Sequence, residues 1–194
     1  MRTILWKDRL MAKKSTQKAI LDELTSDEAL AVLRILLKEH AELRTDVCSI
    51  ILRSMDDTTM DEITGDVYHA LNTIDVDELY RRSGKTRYGY INPSDEAWQM
   101  VEDAVAPFIT EMKKCHTYGL PDAAKKYCLG IIEGLMKFSN TSGSDFREWV
   151  DDLEDYAATV FEEWTKGEPA TEDRTDVIYD ARDAGVRLND KTAE

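Results

Sequence analysis

A chain of 194 residues, 42% of them hydrophobic, is long enough to bury a continuous core without staples. Its three cysteines, Cys48, Cys115 and Cys128, contain no C-x-x-C pair, which excludes a disulfide framework and a zinc ribbon. Twenty-five Lys and Arg against 39 Asp and Glu give a formal charge of -14, which repels nucleic-acid phosphates and anionic lipid and sets direct nucleic-acid binding aside.

Residues 1–15 carry no helical stripe and are expected to form a disordered N-terminal segment, with either Met1 or Met11 as the true start. Only Ile4, Leu5 and Trp6 run together there, short of the roughly 7 to 15 apolar residues of a secretory signal. The longest apolar stretch, CLGIIEGLMKF, is interrupted by Glu133 and falls below the ~20 residues needed to cross a bilayer. The expected address is therefore the cytoplasm, away from membranes.

Helical periodicity then governs residues 16–166, the expected folded domain. Leu30, Leu33 and Leu37 recur at i, i+3 and i+7 behind Thr25-x-x-Glu28, whose residue types fit a capping box, and predict a helix over about 26–39. Leu43, Val47, Ile50 and Ile51 form a second stripe. The brief EHAE between the two predicts a helical hairpin. A third stripe, Ile63, Val67, Ala70, Leu71 and Ile74, follows another capping pattern, Thr59-x-x-Glu62, and Asp75-x-x-Glu78 marks a fresh start for a short helix.

SGKTRYGYINP is the irregular internal stretch, with Gly84, Gly89 and Pro93 as turn residues. A fourth helix is expected over about 94–116, with a kink or a division at Pro107, which has no amide to bond to the carbonyl of Asp103. Tyr118-Gly119-Leu120-Pro121 ends it and starts a fifth, in which Gly130 and Gly134 share a face and predict close approach of a neighbouring helix. A sixth is expected over about 145–166. Residues 167–194 are acidic and sparsely apolar, and read as a largely mobile tail whose removal from residue 170 would change stability by less than about 1 kcal/mol. The fold class is all-α: about six amphipathic helices in hairpins, forming a short α-solenoid or an irregular bundle.

The runs LDELTSDEALAVLRILLKEHAEL, RRSGKTRYGYINPSDEAWQMVEDAVAPF and GLPDAAKKYCLGIIEGLMKF resemble a group of uncharacterised prokaryotic helical proteins, and are similar also to the helical regions of bacterial SWIM zinc-finger proteins. The resemblance spans roughly residues 16–166 and implies an all-helical fold. The SWIM zinc motif, C-x-C-x(n)-C-x-H, is absent, so no activity or ligand set comes with it. Residues 98–138 also resemble a tetratricopeptide hairpin, with Gly-Leu at the turn and Ala124 and Tyr127 in the second helix, but no fixed repeat period accompanies them.

Gly84-Lys85-Thr86 imitates the end of a P-loop, yet Leu79 stands where its first glycine would be, and no helix start follows. Cys115, His116 and Cys128 are the densest group of soft ligands but lack a fourth. No metal and no cofactor is called for, and no catalytic residue is assigned. The surviving candidate is the loop that packs Arg81, Arg82, Lys85, Arg87, Tyr88 and Tyr90 into an otherwise acidic chain. Arginine forks beside tyrosines suit a phosphate, a carboxylate or an acidic peptide. The plainer reading, which we favour, has the tyrosines filling the core and the arginines pairing with nearby carboxylates.

The expected function is a non-enzymatic protein-interaction or scaffold protein with a protein partner. One alternative is an acidic decoy that occupies a nucleic-acid-binding protein. Another is an enzyme or small-anion sensor that uses the Arg81 to Tyr90 loop. Neither the partner nor the oligomeric state is written in the sequence.

Overall fold

The computed structural model describes residues 19–87 and 89–188, so the expected N-terminal segment 1–15 lies outside the described residues. The chain divides into two compact units, Met1–Ile50 and Ile51–Glu194. The all-α class holds: among the described residues the strands are two pieces of three residues each.

In the first unit, helix α1 (Ser26–Glu39) starts at the expected capping box: Glu28 N donates to Thr25 Oγ1 at 3.3 Å and Thr25 N donates to Glu28 Oε2 at 2.9 Å. Helix α2 (Leu43–Asp57) follows after a short turn across which Arg44 Nε donates to Leu37 O at 3.2 Å. The stripe positions Leu33, Leu37, Leu43 and Val47 are half-buried, but neither helix buries a residue fully. The hairpin core expected from their spacing is therefore only partly formed.

The second unit is built around helix α6 (Pro121–Thr141), eleven of whose 21 residues are buried. Helices α3 (Met60–Asn72), α5 (Pro93–Thr117), α7 (Leu153–Thr165) and α8 (Thr171–Asp183) all pack on it. That explains why CLGIIEGLM carries apolar residues on nearly every side: a helix covered all round has no solvent face to keep polar. The one charge in that nine-residue run, Glu133, accepts a bond at 3.3 Å from Thr64 Oγ1 of α3. Residues 51–57 of α2 belong to this second unit, within which Lys126 Nζ donates to Asp56 O at 2.7 Å.

The close approach predicted at Gly130 and Gly134 is present. A Cβ on Gly130 would stand 2.7 Å from Ile63 Cβ, and one on Gly134 2.6 Å from Val67 Cβ, so α3 lies in the groove the two glycines open. Helix α5 is preceded by Asn92, whose Oδ1 accepts from Ser94 N at 3.1 Å, and runs as one helix through Pro107. It ends where Gly119, at φ 72°, lets Leu120 N reach back to Cys115 O at 2.9 Å.

Three expectations need correction. The stretch 84–91 is ordered as a hairpin, β1 (Gly84–Thr86) antiparallel to β2 (Gly89–Ile91), joined across residues 87 and 88. The single sixth helix over 145–166 is instead a 3-10 turn, Asp145–Trp149, followed by α7, with Asp152 between them in the left-handed conformation at φ 57°. Asp151 and Asp152 are poor helix formers, and the break lets Phe146, Val150 and Leu153 all become buried. Finally, the folded domain does not stop at 166. Helix α8 seats Val177 and Ala181 on the core, and beyond it Val186 and Leu188 are buried too.

Helix α8 needs only a narrow stripe because it covers one side of a helix already enclosed on the others. Lys125 of α6 fastens it, with Nζ 3.0 Å from Asp173 Oδ1 and 2.7 Å from Asp176 Oδ2. Gly185, at φ 94°, closes its end, and Val186 N donates to Ala181 O at 2.9 Å.

Candidate functional site

The basic loop is positioned by helix α4 (Val76–Arg82) and the β1–β2 hairpin. Asp75 caps α4, its Oδ1 accepting from Asp77 N at 2.9 Å, and Arg81 and Arg82 occupy the last turn, where the helix dipole favours cations. Both arginines are engaged. Arg81 Nη2 lies 2.6 Å from Glu78 Oε2 and 3.8 Å from Asp75 Oδ2. Arg82 Nε lies 2.6 Å from Glu96 Oε1, an ion-pair contact without hydrogen-bond alignment, and its Nη2 is 3.5 Å from Asp103 Oδ2.

Lys85 and Tyr90 stand opposite one another across the hairpin, and both are exposed, Tyr90 by 73%. Arg87 is exposed at the turn. Tyr88 lies outside the described residues. Of the described candidates, Arg81 and Arg82 are committed to carboxylates of α4 and α5, and Lys85 and Tyr90 lie out on the hairpin. Neither Tyr80, 56% exposed, nor Tyr90 fills the core. Tyr80 instead meets Trp149 edge-on at 5.6 Å, and the pair lines an open hollow with Val76, Asp77, Asp145 and Glu148.

The soft-ligand group is divided between two helices. Cys115 and Cys128 are buried and free, and burial pushes the Cys115 thiol up to about 11 and that of Cys128 further in the same direction. Neither is a thiolate near neutral pH, so neither is a ready nucleophile. The His116 ring fits against Gly167 and near Trp164, and burial holds its pKa below the ordinary histidine value. Among the described residues no group of three His, Cys, Asp or Glu side chains could hold a metal ion. No helix among them is long and apolar enough to cross a membrane.

A further surface lies on the first unit. In α1, Ala29 to Leu37 contains a single polar residue, Arg34, so the helix is apolar on more than the stripe that carries Leu33 and Leu37. At about 100° per residue, Val32, Ile35 and Leu36 form a second stripe, about 130° round the helix from the first. These three are 48%, 56% and 39% exposed. With Ile20, Leu21, Leu30 and Ile50, the first unit leaves seven large aliphatic side chains substantially open to water. The signal is present in the sequence as two apolar stripes on one helix. Comparison of the chain with family models, curated proteins and solved structures finds no match to any of the three.

Proposed function

We propose that the chain is a non-enzymatic interaction or scaffold protein that offers helix α1 to a protein partner. The observation that supports this is the contrast between two apolar helices. Helix α6 is the centre of a packed unit, whereas α1, apolar on two faces, buries no residue fully. A helix apolar nearly all round is ordinarily covered, and an exposed apolar patch beyond a few hundred Å² marks a contact surface.

Placing a photo-cross-linking residue at position 35 in cells that make the protein tests the reading. A covalent adduct with another protein is expected, lost when Val32 and Leu36 are both changed to Asp, with the helical circular dichroism unchanged. Absence of any adduct from positions 32, 35 and 36 would sink the proposal.

A further inference from the structure

The bare stripe of α1 is not electrically neutral at its ends. At about 100° per residue, Glu28 lies about 30° and Glu39 about 10° from the centre line of Val32, Ile35 and Leu36, and eleven residues separate them, about 16 Å along the axis. The two cations of the helix are turned aside, Lys38 by about 110° and Arg34 by about 150°. Both glutamates are exposed. Glu28 is held ionised by the bonds its carboxylate accepts from Thr25. Glu39 adds its charge at the helix C-terminus, where the dipole is already negative. The face is therefore an apolar centre with an anionic group at each end.

Three kinds of surface could cover an apolar face, and charge separates them. A second copy in antiparallel pairing would bring Glu28 against Glu39 of its mate, between chains that each carry -14, so self-pairing meets like charges at both ends. An anionic lipid surface meets the same repulsion, and an interfacial helix presents Lys and Arg beside its apolar face, not Glu. A helix with apolar side chains in its middle and Lys or Arg near each end meets opposite charge at both ends and apolar surface between them. We infer that the Val32, Ile35 and Leu36 face of α1 is a docking site for a basic amphipathic helix of a partner protein, with Glu28 and Glu39 receiving its cations. This rests on the interaction reading above and adds the chemistry of the partner.

The test titrates the full chain into labelled synthetic helical peptides that share one leucine stripe and differ only in their flanks, Lys in one and Glu in the other. The Lys-flanked peptide is expected to bind roughly tenfold or more tightly than the Glu-flanked one, with the advantage shrinking as salt rises. Glu28→Gln with Glu39→Gln should bring the two peptides near parity; glutamine still serves a capping box, so the helix start is preserved. Ile35→Asp should abolish binding of both. Equal binding of the two peptides by the unaltered chain, or no binding of either, overturns the inference. So does a homodimer in sedimentation that Ile35→Asp dissociates, or flotation with anionic vesicles that Ile35→Asp prevents. A protein adduct at position 35 together with indifferent peptides defeats only the partner's chemistry, whereas no adduct defeats the interaction reading itself.

Discussion

Gly130 and Gly134 set how near α3 can come to α6. A methyl group at either position would fall under 3 Å from a Cβ of Ile63 or Val67, and about 3 Å from the carbonyl oxygens of Met60 and Thr64. Those atoms belong to the backbone or are fixed to it, so the clash is relieved only by moving a helix. Gly130→Ala and Gly134→Ala should therefore each destabilise by about 1–3 kcal/mol, the cost of overpacking, despite the gain of about 1 kcal/mol in helix propensity. Denaturant titration reads this directly, and a midpoint unchanged or raised in both variants would mean that the two helices separate freely. Arg82 calls for a smaller number. Its side chain is 38% exposed but that of Glu96 only 12%, so the pair lies between a surface bridge and a buried one. Arg82→Gln should cost about 1–2 kcal/mol, between those two limits. A loss above about 3 kcal/mol would make the arginine a buried strut, and no loss at all would leave it available for recognition.

At the level of elements, helices signalled by strong local chemistry were legible, and those defined by tertiary cover were not. Thr25, Thr59 and Asp75 each stand where a side-chain cap is found, because a cap is a contact over two or three residues and is written locally. The 145–166 stretch misled because Phe146, Trp149 and Leu153 keep helical spacing across a break whose cause is burial on both sides of Asp152. Helix α8 is sparsely apolar in sequence, yet Val177 and Ala181 suffice for a helix that covers one flank of α6. In the basic loop, the residue types were legible, but their pairing with Glu78, Glu96 and Asp103 depends on how α4 is set against α5. Removing residues 170–194 uncovers α6 and loses Val177, Val186 and Leu188 from the core. At about 1.5–3 kcal/mol for each large buried side chain, the truncation should cost several kcal/mol, against the value below about 1 expected from composition. A thermal melt checks this: at about 2–4 °C per kcal/mol for a chain of this size, the midpoint should fall by more than about 5 °C. An unchanged midpoint would return residues 170–194 to the status of a tail.

For the molecule as a whole, the buried core and most of the exposed large aliphatics lie in different stretches of sequence, Ile51 and Leu52 being the exposed aliphatics of the second unit. Every buried hydrophobic side chain among the described residues lies between Ile63 and Leu188, and the seven large aliphatics left open in the first unit lie between Ile20 and Ile50. Deleting residues 1–50 keeps Met55, which packs against the core, and the Lys126 bond to Asp56 O. The shortened chain should therefore unfold within about 0.5 kcal/mol of the full one, the range of changes that touch no core contact, while binding less of a hydrophobic dye such as ANS. Each outcome is separately informative. A melting temperature preserved together with undiminished dye binding would mean that the exposed apolar surface belongs to the second unit, and the case for α1 as the contact element would fail. A large loss of stability would mean that the first fifty residues hold the core together, which a helix with no buried residue cannot do unless α1 is covered in the folded protein.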